Sequence, residues 1–102
     1  MTNTTPDFTG VRQAAERLKP HMIPTPLIPS APLSQAFGAE IWLKVETVTP
    51  IASFKLRGAL NHLLMARAKG PLAAAVTSST GNHGQGVAYA ARLLGIPAEI
   101  FL

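Results

Sequence analysis

The last third of the chain constrains the fold most, because it reads as a strand, a loop, a helix and a second strand in close succession. An apolar run from Leu72 to Thr77 follows the helix stop Gly70-Pro71 and predicts a strand buried on both faces. A polar turn comes next, then a helix from Gln85 to Leu94, and Ala98 to Leu102 begins another strand. Such a unit places its two strands parallel. The sequence therefore predicts an α/β fold, an open parallel sheet with flanking helices.

The preceding residues predict further helices and short strands around a proline-rich segment. Five of the nine prolines lie between Pro20 and Pro32, where they remove backbone donors and exclude a helix. The predicted elements are helices at Phe8–Leu18, Leu33–Phe37 and Ser53–Ala68, a strand at Glu40–Glu46, and at most an edge strand at Leu27–Ile28. Ser53 is the predicted N-cap of the third helix.

The composition is that of a folded chain with a large apolar share. Of the 102 residues, 47% are hydrophobic and only 14% are charged, which argues against disorder. Some of this apolar surface is expected to meet another domain or another subunit. Because the chain stops on an apolar strand, we expect it to be the N-terminal segment of a longer protein.

Charge and residue usage exclude several classes of function. The net charge is +4, yet the nine basic residues are dispersed without runs or interleaved aromatic pairs, which argues against binding of nucleic acid. The absence of cysteine excludes disulfides and thiolate metal sites, and the three histidines stand apart, so no metal site is predicted. The first seven residues are polar and no apolar run reaches membrane-spanning length, so the expected setting is the cytoplasm, with no membrane contact.

Lys55 is the first residue whose setting suggests chemistry. The residues around it, from Ile51 to Leu56, are mostly apolar, and no acidic residue occurs between Glu46 and Glu99. Partial burial in such a setting favours the neutral amine, which attacks carbonyl groups. The alternative is a solvated lysine whose stem lies along apolar neighbours, and the local sequence alone favours that alternative.

The loop from Ser78 to Gly84 is the second candidate, because ligands of parallel sheets bind at the carboxyl ends of strands. Its backbone N–H groups and the following helix N-terminus favour an anion, either phosphate or carboxylate. The alternative is that its serine, threonine, asparagine and glycine residues are ordinary caps and turn formers. The loop is not a dinucleotide fingerprint, because its glycines have the wrong spacing. It is not a P-loop either, because it lacks the terminal Gly-Lys-Ser/Thr.

Taken together, the two stretches resemble a known family. Ser53-Phe54-Lys55-Leu56-Arg57-Gly58-Ala59, followed by the segment from Ser78 to Ala88, resembles the N-terminal part of the fold-type II pyridoxal-phosphate enzymes, in the threonine dehydratase and serine racemase group. Thr25-Pro26-Leu27, Lys44-Val45-Glu46 and Gly95-Ile96-Pro97-Ala98 are similar to that group in the same order. The resemblance implies a tryptophan synthase beta-like fold in which residues 1–70 begin the large cofactor domain and residues 71–102 begin the small domain.

The resemblance also implies roles for individual residues. Lys55 forms the Schiff base with pyridoxal 5'-phosphate and then carries a proton, Phe54 packs near the cofactor, and Asn82 hydrogen-bonds the hydroxyl of the cofactor ring. The loop implied to receive the substrate carboxylate consists of Ser79, Thr80, Gly81 and His83. The implied reaction is removal of the α-proton and β-elimination of hydroxide, giving an enamine that hydrolyses to a keto acid and ammonia.

Two departures from the family pattern bear on these roles. Ile51-Ala52 stands where the family commonly has Thr-Gly. By the resemblance, the position of Thr80 is alanine in many threonine dehydratases and serine in serine racemases. The serine is implied to donate a proton on the side opposite to the lysine. Thr80 is therefore a second candidate catalytic residue, and the balance between dehydration and racemisation stays open.

The resulting prediction is a pyridoxal-phosphate-dependent dehydratase of threonine- or serine-type amino acids, homo-oligomeric when full length. Two alternatives stay open. The chain is a non-catalytic fragment or an anion-binding α/β module, or the enzyme has another fold-type II activity such as racemisation or β-replacement. The family's glycine-rich phosphate-binding loop is expected beyond Leu102.

Overall fold

The fold is taken from a computed structural model that describes residues 5–102, so the first four residues of the polar leader lie outside it. In chain order the elements are α1 (Phe8–Leu18), β1 (Leu27–Pro29), α2 (Ala31–Phe37), β2 (Trp42–Lys44), a 3-10 turn (Glu46–Val48), α3 (Lys55–Ala68), β3 (Ala75–Ser78), α4 (Asn82–Leu93) and β4 (Ala98–Phe101).

The strands form two separate pairs. β3 and β4 are parallel, with Ala75 opposite Ala98 and Ser78 opposite Phe101, and α4 connects them. The predicted βαβ unit is therefore confirmed. β1 and β2 are antiparallel, with Leu27 opposite Lys44, which makes the proline-containing segment a short edge strand as predicted.

Local capping explains where the first two helices lie. α1 begins after Asp7, whose Oδ1 accepts a hydrogen bond of 2.7 Å from the N–H of Gly10. α2 begins after Ser30 and ends at Gly38, whose φ of 61° lies in the left-handed region that glycine adopts without strain. The observed bounds of α1 match the predicted helix.

The core is centred on α3, which packs against α1 on one side and α4 on the other. Leu56 and Leu60 of α3 are the largest fully buried side chains. They meet Leu18 of α1 and the small residues Ala90 and Ala91 of α4 in a single cluster of buried residues. Small side chains on α4 allow the two helices to approach closely, and this approach positions the candidate site.

Two predicted strands need correction. The strand predicted at Leu72–Thr77 is β3, Ala75–Ser78, and it is not buried on both faces: Val76 is 60% exposed. One face of β3 packs on α4, whereas its other face borders an open groove. The predicted strand Glu40–Glu46 is reduced to Trp42–Lys44, because residues 46–48 turn into a 3-10 helix.

The starts of α3 and α4 also differ from the prediction. Ser53 is not the cap of α3, because the helix begins at Lys55 and the residue before it, Phe54, makes no side-chain capping bond. The Oγ of Ser53 instead accepts a hydrogen bond of 3.3 Å from the N–H of Lys55 itself. α4 begins at Asn82 rather than at Gln85, so the predicted loop contributes its last residues to the helix.

Many apolar side chains stay uncovered. The radius of gyration is 16.2 Å, against about 13 Å for a compact domain of this length. Ile23 and Phe37 are 88% and 72% exposed. Within residues 5–102, no helix is both long and apolar enough to cross a membrane.

Candidate active site

The packing of α4 against α3 brings the two recognised motifs together. A Cβ added at Gly86 would lie 3.1 Å from the backbone oxygen of Lys55 and 3.4 Å from the Cβ of Ala59. Helix α4 therefore lies directly against the backbone of the lysine, and a side chain at position 86 would make a contact tighter than most Cβ contacts. As a result, the first turn of α3 lies against the N-terminal half of α4.

A groove of about 730 Å³ opens beside this contact, between α3 and β3. Lys55, Phe54 and His83 border it at the end that carries the helix starts. Apolar residues form much of the remaining wall, including Ala59, Leu63, Leu72, Ala75, Val76 and Val87. The volume lies within the range typical of small-molecule and cofactor sites, roughly 300–1,000 Å³.

Lys55 lies exposed at the rim of this groove, in agreement with the solvated lysine that the local sequence alone favoured and not with partial burial. Its Nζ is 5.4 Å from the centre of the Phe54 ring, within the range of a cation–π contact. Among residues 5–102 the amine makes no hydrogen bond or ion pair. The lysine is thus held by its backbone and by one aromatic neighbour, with its amine accessible from the groove.

Ser79 organises the loop that precedes α4. Its Oγ accepts hydrogen bonds from the N–H groups of Gly81 and Gly84, at 3.2 and 3.0 Å. These bonds use the acceptor capacity of the hydroxyl and leave its O–H to donate. They also explain why α4 starts before Gln85, since Ser79 satisfies an N–H group of its first turn.

His83 is oriented by a contact that the sequence did not predict. Its Nε2 lies 3.1 Å from Oγ1 of Thr77, a half-buried residue of β3. His83 borders the groove, whereas the other predicted loop residues do not line its walls. Those residues are Ser79, Thr80, Gly81 and Asn82. The structure therefore brings Phe54, Lys55 and His83 to one groove and leaves the rest of the loop beside it.

An ion-pair network close to Lys55 was also missed from the sequence. Arg57 pairs with Glu46 through two hydrogen bonds, of 2.7 and 2.9 Å, and the hydroxyl of Thr25 bonds to both side chains. The Nζ of Lys44 donates to the backbone oxygen of Thr25 at 2.7 Å. The sequence did contain one indication of this network. Thr25, Lys44 and Glu46 lie in segments that resemble the family, although no role was assigned to those segments. The network ties both segments to the first turn of α3.

The hydrogen bond from Arg57 is the main reason that the pKa of Glu46 is lowered, from 4.5 to about 2, and the bond from Thr25 acts in the same direction. Partial burial opposes this shift by raising the pKa, with an effect smaller than that of the Arg57 bond but larger than that of the Thr25 bond. The same pairing raises the pKa of Arg57. Glu46 therefore stays ionised well below the pH at which an unpaired glutamate is protonated.

Acid titration is expected to reveal this pairing. Because the folded pKa of Glu46 lies below its unfolded value of 4.5, the pairing stabilises the fold above pH 4.5, and the stabilisation is lost as the pH falls towards about 2. In Glu46→Gln we expect a lower free energy of unfolding at neutral pH, by about 2 kcal/mol, and a weaker dependence on acid. Chemical unfolding between about pH 7 and pH 3 measures both. Glu16→Gln, at a surface carboxylate, is the control; a wild-type acid profile in Glu46→Gln contradicts the prediction.

The chain matches a known protein family over most of its length. The family described as "Pyridoxal-phosphate dependent enzyme" matches residues 18–102. The chain belongs to this family. The match includes both the lysine segment and the loop before α4, so the fold expectation is confirmed.

Individual members of the family are similar over nearly the whole chain. The biosynthetic L-threonine dehydratase of Mycobacterium tuberculosis is 44% identical over 90% of this chain and 21% of its own length. The serine racemase of Schizosaccharomyces pombe is 38% identical over 95% of this chain and 30% of its own length. The processed form of threonine deaminase isoform 2 from Solanum lycopersicum superposes with a TM-score of 0.68 at 31% identity, over 97% of this chain and 30% of that protein. The chain thus spans less than a third of the length of these relatives.

The groove is suitable for the cofactor that gives the family its name. It has the volume for a pyridine ring, an accessible amine at its rim and the Phe54 ring beside that amine. An amine is the group that condenses with an aldehyde. Within residues 5–102, no three His, Asp or Glu side chains cluster to hold a metal ion.

Proposed function

We propose that the full-length protein is a pyridoxal-phosphate-dependent dehydratase of small hydroxyamino acids, with threonine and serine as the substrate class. The single observation that carries the proposal is the position of Lys55, at the rim of the groove and in backbone contact with α4 through Gly86. The similarity to threonine dehydratases adds support.

The cofactor, when bound, supplies an aldehyde that takes the substrate amine and a ring that accepts the electrons of the Cα–H bond. In the proposal the amine of Lys55 holds the cofactor and afterwards receives the Cα proton at Nζ. Phe54 packs beside the ring, and Asn82 orients it by a hydrogen bond to its hydroxyl. Lys55 is suited to both tasks because its amine has no competing hydrogen-bond partner among the described residues.

The substrate carboxylate is assigned to the start of α4. The N–H groups of Asn82 and His83 lie in its first turn, where no carbonyl of the helix serves them. The helix N-terminus favours a negative charge. The O–H of Ser79 is available to donate, because its oxygen already accepts two bonds. Thr80 and Gly81 complete the loop, with the Thr80 hydroxyl as the second proposed proton-transfer group.

The proposed reaction balances without an external oxidant or reductant. The Cα–H and Cβ–O bonds break, and the proton and hydroxide leave as water. The enamine that results takes up one water and releases a keto acid and ammonia. The proposal also includes the division at residue 70 between a large and a small domain, and a cytoplasmic, homo-oligomeric enzyme; the uncovered apolar side chains support further packing partners.

Product analysis tests the proposed activity. With pyridoxal phosphate, the full-length protein is expected to release one keto acid and one ammonia for each molecule of L-threonine or L-serine consumed. It is expected to release neither product from L-alanine, which has no β-hydroxyl group. Coupled dehydrogenase and ammonia assays measure both products. Formation of D-serine without keto acid, or turnover only when a thiol is added as a second substrate, contradicts dehydration and identifies racemisation or β-replacement instead.

A further inference from the structure

The turn before the lysine contains a backbone conformation that alanine rarely adopts. Ala52 has a φ of 55°, and within residues 5–102 it is the only residue other than glycine with a positive φ. The Cβ of an L-residue crowds the backbone in this region, whereas glycine enters it freely. The unfavourable residue lies three positions before Lys55. Such a conformation persists only where its surroundings impose it.

Thr49 makes three hydrogen bonds to the residues of this turn. Its backbone oxygen accepts a 2.9 Å bond from the N–H of Ala52, which closes the turn. Its side-chain Oγ1 donates to the backbone oxygen of Ser53 at 2.8 Å and accepts from the N–H of Ser53 at 3.1 Å. Thr49 therefore bonds to both residues on which the turn depends. Both Thr49 and Ser53 are buried, so no water competes for these bonds.

The same bonds continue to the lysine. The Oγ of Ser53 accepts from the N–H of Lys55, which is an N–H of the first turn of α3 and has no carbonyl partner within the helix. A fixed Ser53 consequently fixes the backbone from which the lysine side chain leaves. Gly86 lies against the same residue at its carbonyl group.

We infer that Thr49 is a positioning residue for Lys55: its hydroxyl fixes the backbone of Ser53, which keeps the adjacent Ala52 in the left-handed conformation and sets the direction in which the lysine amine enters the groove. The inference rests on the proposed function, because it concerns the amine that holds the cofactor. Thr49 itself touches neither cofactor nor substrate. The hydrogen bonds of Thr49 matter because residue 52 is alanine. A glycine at position 52 would adopt the positive φ without depending on those bonds.

The test uses the full-length protein and measures how fast Lys55 captures pyridoxal phosphate. Samples are reduced with borohydride at successive times, and the labelled peptide is quantified by mass spectrometry. Thr49→Val, which keeps the shape and removes the hydroxyl, is expected to slow labelling of Lys55 by roughly tenfold or more, because misplacement of a reacting group strongly reduces its rate. Thr49→Ser keeps the hydroxyl and is expected to label at close to the wild-type rate.

Two further variants separate positioning from general loss of stability. Leu18→Val removes a methylene from the core on α1, away from the turn, and is expected to lower the melting temperature without slowing the labelling. In the Ala52→Gly background, Thr49→Val is expected to slow labelling much less than in the wild type, because glycine needs no support in this conformation.

The outcomes decide between the inference and the proposed function. If the wild type forms no adduct at Lys55, the proposed function fails. If the wild type labels and Thr49→Val labels equally fast, or if Leu18→Val slows labelling as much, the positioning inference is overturned. If Thr49→Val does not fold, the Thr49→Val/Ala52→Gly double variant decides: recovered folding and labelling support the inference, and their absence overturns it.

Discussion

Replacing Lys55 with alanine is expected to abolish the borohydride-reducible adduct with pyridoxal phosphate and to lower the dehydratase activity of the full-length protein by roughly a thousandfold or more. No other amine borders the groove among the described residues, so no neighbour is placed to take over the covalent step. The free energy of unfolding is expected to change by less than about 1 kcal/mol, because the side chain is exposed and its amine makes no hydrogen bond or ion pair within residues 5–102, lying only near the Phe54 ring.

The matched control for this prediction is Lys69→Ala. Lys69 is exposed at the C-terminal end of α3, so its replacement removes the same charge from the same helix without reaching the groove. Adduct formation is followed by absorption and by mass spectrometry of the reduced protein. The assignment of Lys55 as the residue that forms the adduct is contradicted if Lys55→Ala gives the wild-type yield of adduct, or if the wild type is labelled at Lys69.

Replacing Gly86 with valine is expected to cost about 3 kcal/mol of stability, the upper part of the range for an overpacked site. The atoms that a Cβ would meet at 3.1 and 3.2 Å belong to the backbone of Lys55, which is part of a helix and cannot turn aside as a side chain does. Valine adds two methyl groups to that contact. Because the displaced atoms are those of the lysine, we expect slower adduct formation as well.

Gly58→Val is the control for Gly86→Val. Gly58 also lies within a helix, but a Cβ added there meets no atom within 4 Å. The difference between the two variants therefore isolates the contact from the effect of valine on helix propensity, which is common to both. Denaturant unfolding measures the difference; equal losses in the two variants would show that the approach of α4 to Lys55 does not constrain the fold.

Two of the family-like segments had no chemical role assigned from the sequence. In the structure they hold the start of α3 in place. Thr25 and Glu46 meet Arg57 in a network that holds the first turn of α3. Thr49 holds the loop immediately before the same turn. Both groups hold the chain near Lys55, and Arg57 of the first group also lines the groove. The stretch that carries the lysine is thus fixed at several points, whereas its amine has no hydrogen-bond partner among the described residues.

Short-range patterns predicted the local elements well. The bounds of α1 and the order of strand, helix and strand at the C-terminal end follow from apolar periodicity and from glycine and proline stops, which act within a few residues. The same patterns wrongly predicted that Val76 is buried. An apolar run indicates a strand, but whether both of its faces are covered depends on distant elements.

The sequence by itself determined the family, the cofactor and the choice of Lys55 as the candidate amine, because these depend on residue types within short motifs. The roles of Thr80 and Asn82 rest on the same motifs and stay predictions. Only the tertiary structure decided which residues surround the lysine. Glu46 and Thr25 lie 11 and 32 residues from Arg57, and Gly86 meets Lys55 across two helices. Contacts at such separations leave no periodic signal in the chain, since they exist only after the helices have packed.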